Sequence, residues 1–339
     1  MDIIELNKYD KEKMYKIYDE WPKIARKSFE SEQKLIDFQN VDHIVFVGMG
    51  GSGAIGDLFS SILSKSDIHV SRIKGYLLPK TVDKNTLVVI TSVSGNTDET
   101  LTVLNSAKKI NCNVIAFSSG GKMEKFCHDN QIIFRKIPKF HSPRTSLINF
   151  TYTILKILNS ILPIEKQEII DSLDELDRIK KEIDSNNLSD SNPAINLAKW
   201  LSKIPIIYYP HGLEPVATRF KSSLQENAKT HVITEDIIES CHNGIVSWER
   251  LSEVQPILLQ GKDDYIKTKE RFTIIKKFFI KNNIDFKEVN SVSGNILTKT
   301  ISLMYLLDYT TIYHAVLSKI DPSPVSAIDF IKKEISENN

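Results

Sequence analysis

Short apolar runs alternate with amphipathic stretches along most of the chain. Residues 9–20 and 22–38 carry apolar positions three and four apart, with Pro22 at the break, which predicts two helices before residue 40. The texture then changes. His43–Val47 is a compact apolar run ending in a glycine cluster, and Asp57–Ser64 continues as helix. Ile68–Ile73, Thr86–Thr91, Asn113–Phe117 and Ile132–Arg135 read as further strands, separated by helical segments. Such alternation predicts a parallel sheet covered by helices on both faces. Residues 146–184 are predominantly helical and end in the polar run DSNNLSDSNP at 184–193. The alternation resumes with strands at 204–209, 256–260 and 284–289 and helices at 214–228 and 265–281. Two long helices, near 296–319 and 323–335, close the chain.

The expected fold is therefore α/β, with two doubly wound parallel-sheet domains flanked by N- and C-terminal helices. The expected divisions are helices over 1–40, a first domain over 41–155, a helical linker over 156–190, and a second domain with the C-terminal helices over 191–339. A length of 339 residues suits two such domains. Lys and Arg number 44 against 43 Asp and Glu, so no overall charge draws the chain to nucleic acid. Cys112, Cys127 and Cys241 lie far apart with no CxxC pair, which argues against a zinc ribbon or disulfide framework. The opening MDIIELNKYDKEK is too charged for a signal peptide, and no apolar run approaches ~18 residues. A cytoplasmic protein without membrane contact is expected.

Two segments carry chemistry. Gly48-Met49-Gly50-Gly51-Ser52-Gly53 follows a strand and opens a helix. Glycines let the backbone approach a ligand, and the helix N-terminus turns N–H groups and partial positive charge toward an anion. A dinucleotide would need an acid at the end of the second strand, where Ser71-Arg72-Ile73-Lys74-Gly75 has none. A nucleotide triphosphate would need Gly-Lys-Ser/Thr after the loop, but Ala54 follows Gly53. A phosphomonoester such as a sugar phosphate remains, against the alternative of a plain tight turn. Thr91-Ser92-Val93-Ser94-Gly95-Asn96-Thr97 follows the third strand and supplies hydroxyls at a second helix start. Helix capping alone would explain it. In a parallel sheet, however, both loops emerge at the same carboxyl edge. Ser291-Val292-Ser293-Gly294-Asn295 repeats the string but lacks the final threonine, and reads as a capped helix start.

GMGGSG at 48–53, SVSGNT at 92–97 and SPRTSL at 142–147 together resemble the first sugar isomerase (SIS) domain of the bifunctional phosphoglucose/phosphomannose isomerases. QENAKT at 225–230, CHNGIVSWE at 241–249 and DPSPVSAIDFIKKEI at 321–335 resemble the later signatures of that family, in order. The resemblance spans roughly residues 45–335. It departs at Gly244, where the family usually carries Glu, and at Ser247, where it often carries Gly. It implies two SIS domains, a homodimer, no metal or other cofactor, and interconversion of glucose 6-phosphate or mannose 6-phosphate with fructose 6-phosphate. By resemblance the phosphate falls to Gly50, Gly51, Ser52, Ser92, Ser94 and Thr97. The general base falls on Glu226 with Arg144 beside it, and ring opening falls on His242 and Lys332.

The chemistry suits these residue types. Moving a proton between C1 and C2 needs a base such as a carboxylate. An enediolate gains from a fixed cation. Opening a cyclic sugar needs a proton shuttle near neutrality, which imidazole provides. Each residue also has a plainer role open to it: a solvated glutamate, a surface ion pair, a structural histidine, a lysine on a polar helix face. Two other functions share these loops, a sugar-phosphate sensor and an isomerase of another sugar phosphate such as a heptose or an amino sugar. Cys241 beside His242 has no third metal ligand nearby in sequence.

Overall fold

The structure is a computed structural model and describes residues 1–337. Three short helices open it: α1 (Ile3–Tyr9), α2 (Met14–Asp19) and α3 (Trp21–Glu30). Pro22 sits in the first turn of α3, where its missing N–H costs nothing. The helix expected to reach residue 38 ends at Glu30. Beyond it Ile36 donates its N–H to the carbonyl of Ile157, so the segment runs extended and buries Ile36 without a helix.

The first sheet then forms from β1 (His43–Val47), β2 (His69–Ile73), β3 (Thr86–Ser92), β4 (Asn113–Ser118) and β5 (Ile133–Lys136), all parallel, in the order β2-β1-β3-β4-β5. The helices between them are α4 (Gly50–Ile62), α5 (Asp98–Lys108) and α6 (Gly121–Asp129). β1 and β3 are buried at every position, which is why they read as unbroken apolar runs. The chain moves outward from β1 in one direction and from β3 in the other. The crevice between their carboxyl ends is therefore the topological switch point, where open α/β sheets bind ligands.

Two helices follow, α7 (Leu147–Ile157) and α8 (Lys166–Ile183), then α9 (Pro193–Trp200). The second sheet takes β6 (Ile204–Tyr209), β7 (Ile233–Asp236), β8 (Val254–Gln260) and β9 (Lys287–Asn290), parallel, in the order β7-β6-β8-β9. Its helices are α10 (Glu214–Ser223), the short α11 (Ile237–Ser240) and α12 (Ile266–Lys281). α13 (Ile296–Leu317) and α14 (Ser326–Glu337) complete the chain. Asn295 caps α13 by accepting from the Thr298 N–H, as the SVSGN string implied.

α13 is apolar nearly all round and is buried along its length. Tyr305, Tyr309 and Tyr313 stack along one side of it, against Tyr18 and Trp21 of the N-terminal helices. Burying each such ring stabilises by about 1.5–3 kcal/mol, and the hydroxyls of the three α13 tyrosines are hydrogen-bonded. Tyr305 donates to the Tyr18 carbonyl and Tyr313 to that of Ile183, both at 2.7 Å. One apolar core thus runs from the N-terminal helices through α7, α8 and α13 into both sheets. Across it α4 packs on α10, which brings the carboxyl edge of the first sheet against the second half of the chain.

Candidate active site

The two anion-friendly turns are stitched together across the switch point. Ser52, in the first turn of α4, accepts a hydrogen bond on Oγ from the N–H of Val93 at 3.1 Å. Met49, the N-cap of α4, offers no side-chain cap to the helix's opening N–H groups. In the serine turn, Ser92 Oγ accepts from the Gly95 N–H at 3.1 Å and lies 3.0 Å from Thr97 Oγ1. Ser94 is exposed, and its Oγ accepts from Asn96 N–H. Gly95 has φ +70°, and a Cβ there would collide with the Gly120 carbonyl oxygen, so only glycine fits.

The SPRTSL segment forms the third wall. Thr145 and Ser146 both donate their hydroxyls to the Phe140 carbonyl, at 2.7 and 3.0 Å, and Trp21 donates its indole N–H to the Thr145 carbonyl at 2.9 Å. This pins the loop against the glycine turn: a Cβ built on Gly51 would lie 3.1 Å from the Pro143 carbonyl group and 3.3 Å from the Arg144 nitrogen. Arg144 reaches from the loop into the second half of the chain. Its Nη1 donates to Glu226 Oε2 at 2.9 Å, and its Nη2 to the carbonyls of Pro322 and Ser323 at 2.8 and 3.0 Å.

Glu226 sits on a π-helical turn, Leu224–Ala228, that extends α10 and ends at Lys229 in the left-handed region, φ 56°. Such turns break the regular helical register and are common at functional sites. The sequence pattern predicted plain helix here. The Glu226 side chain keeps 25% exposure against 4% for Arg144, so the carboxylate stands at the mouth of a pocket with its cation behind it. A cleft of about 580 Å³ opens there, lined among others by Glu226, Lys229, His231, Pro324, Ser326 and Ile328. Lys229 donates to the carbonyls of Glu226 and Pro324 at 2.6 and 2.8 Å. Burial of its ammonium, and then the Arg144 cation, hold it below the usual lysine range.

The other two expected residues stand apart from this pair. His242 is exposed in the turn after α11, and Lys332 is exposed on α14; no hydrogen bond or ion pair joins either to Glu226 among the described residues. α14 nonetheless spans the region. Its first turn lines the Glu226 cleft, and Ile335 lines a second one with Tyr76 of the loop after β2, Asp98 at the start of α5 and Lys122 at the start of α6. Lys332 lies between. The missing side chain at Gly244 has a structural counterpart: a Cβ there would collide with the Glu235 side chain, so the carboxylate of β7 fills that volume. Burial, with Glu239 adding to it, raises the Glu235 pKa. Burial also raises that of the Cys241 thiol, which donates to the Ile237 carbonyl and behaves as a neutral group. No group of three or more side chains suited to a metal ion occurs among the described residues. No helix among them is long and apolar enough to cross a membrane.

Sequence reasoning missed the residues behind the pair. Arg219 on α10 donates to the Arg144 carbonyl at 2.5 Å and forms an ion pair with Asp308 of α13 at 2.7 Å. Asn227, next to Glu226, donates to Thr311 of α13 at 2.7 Å. Arg219 and Asp308 are 89 residues apart in sequence and Asn227 and Thr311 are 84 apart, so no local pattern marks either bond.

A parallel sheet of this order, with two anion-friendly turns at its switch point and a loop arginine paired with a carboxylate from a second α/β unit, defines a protein built from sugar isomerase domains. Residues 37–160 match the SIS domain, and residues 190–335 match the bacterial phospho-glucose isomerase C-terminal SIS domain. The chain is 31% identical to a bifunctional phosphoglucose/phosphomannose isomerase of Caldicellulosiruptor bescii, covering 93% of this chain and 97% of that one. It is 32% identical to a protein of the same name from Thermoplasma volcanium, over 87% of this chain and 92% of the other. A hypothetical protein from Thermus thermophilus shares the fold, with a TM-score of 0.71 at 12% identity over 99% of this chain and 90% of its own. The chain belongs to the bifunctional phosphoglucose/phosphomannose isomerase family.

Proposed function

We propose that this protein is an aldose–ketose isomerase that interconverts glucose 6-phosphate, mannose 6-phosphate or both with fructose 6-phosphate. The observation that carries the reading is the Arg144–Glu226 pair, at 2.9 Å, on a loop packed against the glycine turn. The phosphate dianion is held by Gly50, Gly51 and Ser52 at the start of α4 and by Ser92, Ser94 and Thr97 of the serine turn. The sugar carbons then extend toward Glu226. Its carboxylate removes the proton from one carbon and returns it to the neighbour, while Arg144 stabilises the enediolate oxygen that develops between the two steps. His242 and Lys332 open the ring by moving protons at O1 and O5. Lys332 reaches the substrate from α14. His242, exposed and unattached to Glu226 in one chain, acts from a second copy in a homodimer. The reaction needs no bound metal, and the protein works in the cytoplasm.

The test is turnover of fructose 6-phosphate in deuterated water, with both aldose products measured. Label enters C2 if an enediolate forms. Glu226→Gln keeps an acceptor for Arg144 and removes the base, so kcat is expected to fall by ~10²–10⁴ with phosphate-ester binding largely kept. Retained turnover in that variant removes Glu226 from the mechanism. Binding of sugar phosphates to the unaltered protein without turnover makes it a sensor.

A further inference from the structure

Behind the Arg144–Glu226 pair lies a second, buried ion pair. Arg219 and Asp308 are sealed from solvent, at 3% and 0% side-chain exposure. Asp308 accepts from Arg219 Nε at 3.2 Å, from Arg219 Nη2 at 2.7 Å and from the Ser223 hydroxyl at 2.8 Å. Ser223 immediately precedes the π-helical turn that bears Glu226. Arg219 Nη2 also donates to the Arg144 carbonyl. One carboxylate on α13 therefore fixes both members of the outer pair, Arg144 through its backbone and Glu226 through the turn. It also cancels a buried cation that would otherwise act on Glu226.

We propose that Asp308 is a positioning residue: by balancing Arg219 it holds the Arg144 loop and the Glu226 turn in register for proton transfer. A buried pair of this kind adds little net stability over an apolar replacement, so stability alone gives no reason for it. Other charged and titratable groups face Glu226 as well. Arg144 comes from the loop before α7, Lys229 from the turn itself with Asp321 beyond it, Tyr18 from α2, and His231 across the cleft. Arg219 acts electrostatically on Glu226, and Asp308 is the group that offsets it. The inference rests on the proposed isomerase reading for its kinetic consequences and on geometry alone for its structural ones.

The test is Asp308→Asn, which keeps the shape and removes the charge. Displacing the Arg144 loop by up to ~1 Å lowers kcat by ~10²-fold, with KM within about threefold. Arg219→Met/Asp308→Leu removes both charges and leaves an apolar core. Its kcat stays low, because nothing then clamps the Arg144 carbonyl. A merely structural pair would change only the melting temperature, leaving kcat in place in either variant, and that result overturns the proposal. If the unaltered protein turns over no sugar phosphate, the isomerase reading fails by itself. The crystal structure of Asp308→Asn then decides this inference: an Arg144–Glu226 contact kept at its original length refutes it, and a broken one upholds it.

Discussion

Replacing Gly51 by alanine tests the central juxtaposition of the site, the SPRTSL loop set against the glycine turn. The new methyl group would stand 3.1 Å from the carbon and oxygen of the Pro143 carbonyl and 3.3 Å from the Arg144 nitrogen. Ordinary carbon contacts begin near ~3.5 Å, so the loop must retreat by roughly 0.3–0.5 Å. It retreats against two restraints, the Trp21 indole on the Thr145 carbonyl and the Arg219 guanidinium on that of Arg144. Overpacking of this kind costs ~1–3 kcal/mol, and alanine's better helix propensity at this second residue of α4 offsets up to ~1 kcal/mol of it. A net loss of about 0–3 kcal/mol follows. The kinetic effect is the sharper one. A ~1 Å misplacement costs ~10²-fold, so half that distance costs about tenfold, or ~1.4 kcal/mol in the barrier. The methyl group points at the loop and away from open space, so the loss falls on kcat more than on KM. Steady-state kinetics with fructose 6-phosphate, beside a melting curve, measures both. Gly75→Ala is the control, since its Cβ meets nothing within 4 Å and both readings should stay put. A Gly51→Ala enzyme with unaltered kcat, or with its whole loss in KM, would refute the placement of Arg144 as the residue through which the turn acts.

Two further expectations concern stability. Burial, reinforced for His43 by the neighbouring His69, holds the pKa of both His43 and His314 below the ordinary imidazole value. The folded state then binds fewer protons than the unfolded one as pH falls below ~6.5, so stability is full above that point and declines on acidification. Urea midpoints measured on either side of that value, near neutrality and in mild acid, should show the decline, and His43→Gln should shrink it; an equal decline in that variant excludes His43 as a source. Gly95→Ala should lose more than ~3 kcal/mol and leave little soluble protein, since both its φ of +70° and the Gly120 carbonyl forbid the methyl group. Soluble yield near that of the unaltered chain would contradict the turn geometry.

Much of the fold was open to a reader of the sequence because its central strands are buried on both faces. HIVFV and TLVVIT have no polar alternation to confuse with anything else. β7 was missed for the opposite reason. Ile233–Asp236 is an edge strand ending in two acids, and its sequence looks like loop. The segment after Glu30 misled because Leu35, Ile36 and Phe38 keep helical spacing, while the backbone bond to Ile157 draws them out extended. At the site, the glycine and serine turns announce themselves by composition, and Arg144 lies against Glu226 in the structure. Nothing local distinguishes a π-helical turn from an α-helical one. Nor does any pattern tie Arg219 to Asp308, because that bond is created only when α10 and α13 pack.

The seam between the two halves of the molecule runs through the Arg144–Glu226 contact, with the guanidinium supplied from one side and the carboxylate from the other. On the proposed mechanism, neither half, expressed as a separate fragment, owns a complete proton-transfer couple. Any wedge that parts α4 from α10, whether a bulky substitution or a small molecule lodged in the seam, would act as an inhibitor without ever touching the sugar.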